Sequence, residues 1–182
     1  MGLLIEDGKG RGNIAGVNPE GKLETESVSI SKEHHTNQDL GKAFNLLFSL
    51  TPTGAGDCFL YMKNSSTIDL ILEGVILRTG GNEIITFNLN DTGTPAGGTV
   101  VTPANLNAGS GETAIGTFQT GVNITGLSGG TLTERLYVAS SDDSSDFNFD
   151  QDIIIPQNNV FTMWATTGSI AIAGTVVFNY HD

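Results

Sequence analysis

The densest set of side chains able to do chemistry is Asp142-Asp143-Ser144-Ser145-Asp146-Phe147-Asn148-Phe149-Asp150-Gln151-Asp152. Asp146, Asn148 and Asp150 have the alternate spacing with which an EF-hand loop begins to surround calcium with oxygens. The pattern then fails, because Gln151 stands where the sharp turn needs glycine and no glutamate closes the loop. Strand alternation accounts for the same residues, with Phe147 and Phe149 turned inward and the acids on a solvated face. Weak calcium binding at Asp142-Asp143 is the alternative this leaves; no metal site and no cofactor are expected.

The other reactive groups fare no better. His34-His35 and His181 are the three imidazoles. Adjacent histidines on an extended segment point to opposite sides and do not chelate one ion. A surface turn is the plain reading, and an ion shared on a threefold axis is the alternative. Gly8-Lys9-Gly10-Arg11-Gly12 has the glycines of a phosphate cradle but lacks a preceding strand, a following helix and the Gly-Lys-Ser/Thr ending. Cys58 precedes Phe59-Leu60-Tyr61 and adjoins Asp57, which opposes a reactive thiolate, so it reads as a small buried hydrophobe. No Gly-x-Ser-x-Gly elbow and no Cys/His pair in a plausible frame occurs, and nothing in the spacing selects a carboxylate pair. Catalysis is not expected.

Composition narrows the partners. Twenty acids against eight bases give a net charge of -12, although only 15% of residues are charged. The bases are scattered, which argues against nucleic acid or an anionic membrane as a partner. A single cysteine rules out an internal disulfide. Leu3-Leu4-Ile5 is far shorter than a secretory core and is followed at once by Glu6-Asp7, so no export leader is expected. No apolar run reaches the length of a membrane span.

The elements that must position these residues are strands. No window keeps apolar residues at helical spacing without Gly, Ser or Thr interrupting it. Phe44, Leu46, Phe48 and Leu50 alternate with Ala43, Asn45, Leu47 and Ser49, as in a half-buried strand. Residues 58–62 form the next strand, and 68–78 a longer one with Ile68, Leu70 and Leu72 on one face. Gly74 predicts a bulge there that shifts the inward set to Ile76, or to Val75 and Leu77. Residues 83–89 follow a Thr79-Gly80-Gly81-Asn82 turn. A Gly-, Pro-, Asn- and Thr-rich middle frames a short strand at 99–101, then two strands at 113–120 and 122–127 divided by Gly121. Strands return at 132–139, 147–155, 160–166 and 170–180. In the last, Ile170, Ile172, Val176, Phe178 and Tyr180 share a face, and Thr167-Gly168-Ser169 predicts a hairpin with Met163-Trp164. About eight to ten short strands with turn signals roughly every ten residues indicate an all-β antiparallel sandwich or barrel.

The opening segment behaves differently. In residues 1–25 apolar side chains occur singly or as one triplet, separated by Gly8, Gly10, Gly12, Gly16 and Gly21. Such a strip has no continuous hydrophobic face, and its glycines make ordering it costly in backbone entropy. It reads as an extended arm whose order comes from another protein's surface, with Leu3, Leu4, Ile5, Lys9, Arg11, Ile14, Val17 and Leu23 as contact residues. Residues 26–182 read as the β-sandwich body.

Leu4-Ile5-Glu6-Asp7-Gly8 with Gly10, Gly12, Ala15, Val17-Asn18 and Leu23 resembles the opening of a group of tailed-bacteriophage virion proteins. Residues 27–48, with Glu33-His34-His35 and Ala43-Phe44-Asn45, continue the likeness over roughly the first quarter of the chain. That resemblance implies a capsid decoration, cement or head-fibre role, a jelly roll ahead of an immunoglobulin-like sandwich, and a homotrimer. It implies the major capsid protein as partner, the capsid surface of the virion as location, and synthesis in the host cytoplasm. The alternative in the same setting is a head fibre or receptor-binding knob with a carbohydrate-binding sandwich.

Overall fold

The computed structural model describes residues 16–17, 23–24, 36–139 and 145–181. The chain divides into two units, Met1–Ser31 and Lys32–Asp182. In the first, β1 (Gly16–Val17) pairs antiparallel with β2 (Leu23–Glu24), placing Val17 opposite Leu23.

The second unit is a β-sandwich of two antiparallel sheets. Its principal strands are β3 (Ala43–Leu50), β4 (Asp57–Asn64), β5 (Asp69–Thr79) and β6 (Glu83–Leu89). An excursion follows with β7 (Thr92–Ala96), β8 (Thr99–Val100), β9 (Ala104–Asn105) and β10 (Gly116–Ser128). The chain closes with β11 (Thr131–Val138), β12 (Ser145–Ile155), β13 (Val160–Ala165) and β14 (Ile172–His181). One sheet runs β11-β6-β13-β4-β10-β7, with β8 also on β10, and the other runs β12-β5-β14-β3-β9. The helical content of the described residues is a single π-turn at Thr36–Leu40.

From β3 to β6, and again from β11 to β14, each strand lies in the opposite sheet from the one before it. The expected hairpin between Met163-Trp164 and residues 170–180 therefore does not form. Strand β13 sits between β6 and β4, while β14 sits between β5 and β3. Both strands have a fully apolar inner face, and each is most buried at the centre of its own sheet. The turn signal is real, but Gly168 (φ 73°) sends the chain across the sandwich rather than back on itself.

Alternation fixes the core. Phe44, Leu46 and Phe48 point inward from β3, and Ile172, Val176, Phe178 and Tyr180 from β14. Phe178 stacks between Phe44 and Phe118, with ring centroids at 5.6 and 5.5 Å. Phe87 meets Phe149 and Phe161, each at 5.8 Å. Buried aromatic pairs of this kind add to the apolar burial that drives folding.

Bulges reset the pattern. In β5, Leu72 pairs with Phe178 and Gly74 with Val177, so Glu73 is the extra residue. Beyond it Val75 and Leu77 are buried and Ile76 is exposed, which resolves the two sequence alternatives. In β10 the register shifts between Thr120 and Ile124, so Gly121 lies within one bent strand and does not divide two. A Cβ at 121 would lie 3.1 Å from the Gly98 Cα, so glycine admits the close approach of β8's approach segment.

Candidate functional site

On the outer face of the five-stranded sheet, Thr175 of β14 lies opposite Leu47 of β3 on one side and Ile76 of β5 on the other. One step along, Ala173 lies between Ser49 and Arg78. Leu47 is 63% exposed and Ile76 42%. Because the central strand carries only small side chains here, the two flanking apolar side chains border a shallow depression of about 510 Å³. Arg78 is its one charged lining residue. An open, largely apolar hollow on a strand face can accept an apolar side chain from another protein; it offers no paired acid and base for catalysis.

The outer face of the seven-stranded sheet is partly covered instead. Cys58, Tyr61, Ile124 and Val160 form a second apolar cluster, with Leu127 and Trp164 packed against it. Cys58 and Tyr61 of β4 and Val160 of β13 are thus buried against Ile124 and Leu127 of the far half of β10, which is why residues 58–62 are buried without alternation. A bulge at Phe59, between the pairs Leu60–Met163 and Cys58–Trp164, turns both Phe59 and Leu60 toward the main core.

Asp91 anchors this cover. Its Oδ2 accepts the Thr162 hydroxyl, and the Trp164 indole N–H, which donates to Thr162 Oγ1 at 2.7 Å, lies 3.3 Å from the same Oδ2. Its Oδ1 accepts the Gly130 amide at 2.8 Å. The first residues and the last residues of the excursion are therefore tied by the one buried carboxylate of Asp91 to central strand β13. Nothing in the sequence around Asp91 signals this, because its partners are 39 to 73 residues away.

A second carboxylate does similar work at the end of the sheet. Glu83 accepts backbone N–H groups from Ile84 and Thr167 on Oε1, at 2.9 and 2.7 Å, and from Gly168 on Oε2 at 3.1 Å. Asp57 Oδ2 accepts the Thr53 hydroxyl and the Gly54 amide, at 2.5 and 2.6 Å. These carboxylates accept from loop donors and hold the loops in place.

The groups singled out from sequence fall as follows. Val17 and Leu23 are paired in register across β1 and β2, while Leu3, Leu4, Ile5, Lys9, Arg11 and Ile14 lie outside the described residues. His34, His35, Asp142 and Asp143 also lie outside them. Asp146 and Asn148 are exposed opposite Ile76 and Gly74, and Phe149 is buried, as strand alternation requires. Cys58 is buried, and burial pushes its thiol up to about 12; the Leu60 backbone opposes the shift, and the nearby Asp91 and Asp57 charges add to it. A thiol held protonated in this way is inert. Among the described residues no group of three or more His, Cys, Asp or Glu is placed to hold a metal, and no helix is long and apolar enough to cross a membrane.

Leu47 and Ile76 were not anticipated as site residues. Leu47 carried a signal, being a large apolar residue in an otherwise small or polar register. Ile76 carried none, because its direction depends on the bulge at Glu73.

No family model, curated protein or solved structure matches this chain.

Proposed function

We propose that this protein is a non-enzymatic structural component of a tailed-bacteriophage virion, binding the outer capsid surface as a decoration or cement protein. The observation that carries this reading is the exposed Leu47–Thr175–Ile76 row on an open sheet face, which can accept apolar side chains of another protein. The opening residues that resemble those of virion proteins support it. The strand orders β12-β5-β14-β3 and β11-β6-β13-β4 support a jelly-roll reading of the sandwich.

In this mechanism the body sits on the major capsid protein through its apolar face, and residues 2–23 reach along the neighbouring subunits. Backbone hydrogen bonds from the arm can add to an exposed sheet edge of the shell. A homotrimer would engage three sites at once, so that individually weak contacts become strong through effective concentration. Binding that favours the assembled shell stabilises it by mass action.

The test is co-sedimentation with shells assembled from the major capsid protein of the parent phage. The L47K/I76K double variant changes two exposed positions and leaves the core intact, so the body should fold and bind more weakly. Deletion of residues 2–23 should abolish binding. Full binding by both variants, or none by the native protein, overturns the proposal.

A further inference from the structure

We propose that the hollow beside Tyr137 is a binding site for a neutral pyranose ring. This goes beyond the capsid reading and does not depend on it. Strand β11 forms the outer edge of the seven-stranded sheet, where Tyr137 lies opposite Ile84 and Val138 opposite Glu83. Val138 is buried, so alternation turns Tyr137 outward, and its ring is 69% exposed. Every other Phe, Tyr and Trp side chain is buried or half-buried. The fold thus places one of these rings in solvent and commits the others to packing.

The ring does not stand alone. It borders a hollow of about 420 Å³, with Ile84, Val138 and Ala139 on its apolar side and Asn82 and Thr167 on its polar rim. That volume lies within the usual range of small-molecule sites. The rim is preorganised, since Glu83 takes the Thr167 amide at 2.7 Å and the Thr166 amide donates to the Ile84 carbonyl at 3.0 Å. Rigid placement of polar groups limits the entropy lost on binding.

The chemistry selects the ligand. A pyranose has a face of C–H groups that stacks on an aromatic ring and an edge of hydroxyls that seeks amide and hydroxyl partners. The phenol ring supplies the first, and Thr167, Asn82 and the phenol oxygen supply the second. Glu83, the charged residue of the lining, is 2% exposed and already occupied by three backbone donors, so among the described residues the lining presents no free charge. A protein of net charge -12 also repels acidic sugars. Neutral sugars remain.

The experiment is a two-dimensional amide NMR titration of the full chain with methyl β-glucopyranoside, methyl β-galactopyranoside and the methyl glycoside of N-acetylglucosamine. At least one probe should shift amides at Ile84, Tyr137 and Thr167 selectively. Tyr137→Ala should weaken that binding about tenfold or more, and Tyr137→Trp should retain it. Because Tyr137 is exposed, the remaining amide signals of both variants should stay in place, which separates lost binding from lost folding. Absence of shifts with all probes, shifts centred elsewhere, or binding unaffected by Tyr137→Ala would each overturn the proposal. Each of these results leaves the capsid reading to its own test.

Discussion

The Gly130 amide donates to Asp91 Oδ1 at 2.8 Å, and a Cβ on residue 130 would lie only 2.2 Å from that oxygen. The contact closes the long excursion between β6 and β11 and fixes both its ends to the Thr162 hydroxyl. Asp91→Ala leaves the buried Thr162 hydroxyl and the Gly130 amide without their carboxylate. Unfolding in urea should show a loss of about 3 kcal/mol, the scale for a buried charged hydrogen-bond partner. Hydrogen exchange should accelerate across residues 92–128 more than in the main core. Uniform exchange rates in the variant would show that Asp91 does not hold the excursion.

Gly168 meets a comparable constraint where two loops cross. Its φ is 73°, and a Cβ there would lie 2.1 Å from the Gly54 carbonyl carbon. Gly168→Ala combines a left-handed backbone with a clash against main chain that cannot rotate away. A stability loss of about 2 kcal/mol or more follows from strain of this kind. Thermal melting reads it directly, and an unchanged midpoint would mean the loops separate easily.

Alkaline pH should weaken the fold from the inside. Burial raises the Cys58 thiol from 9.0 to about 12, and burial also raises the Tyr61 and Tyr180 phenols. A raised folded-state value means that the unfolded chain loses its proton first. Stability is therefore complete below pH 9.0 and falls as pH rises toward about 12 for Cys58, with a limiting slope of about 1.4 kcal/mol per pH unit for each such group. Urea midpoints measured from neutrality to about pH 11 should decline, and Cys58→Ala should decline less steeply. A flat profile in the native protein would contradict the burial of these groups.

Much of the fold was legible because side-chain direction in a strand is a local property. Phe44, Leu46 and Phe48 announce their inner face by alternation alone, as do Val176, Phe178 and Tyr180. The candidate docking face was half legible. Leu47 stands out against Asn45 and Ser49, but the direction of Ile76 reverses at Glu73, and a bulge needs a partner strand to define it. The run of residues 58–62 looked like a buried strand, yet what covers its outer side is supplied by β10, far along the chain.

The amino-acid order by itself determined the inward sets of β3 and β14 and the absence of a continuous hydrophobic face in residues 1–25. Only the tertiary structure decided that β13 and β14 part company into different sheets. It alone joined Asp91 to Thr162 and left Tyr137 in solvent while every other Phe, Tyr and Trp ring was packed. The reason is physical: alternation is written into neighbouring residues, whereas strand pairing and coverage depend on contacts between segments many residues apart, whose loop entropy is offset only when the whole sandwich closes.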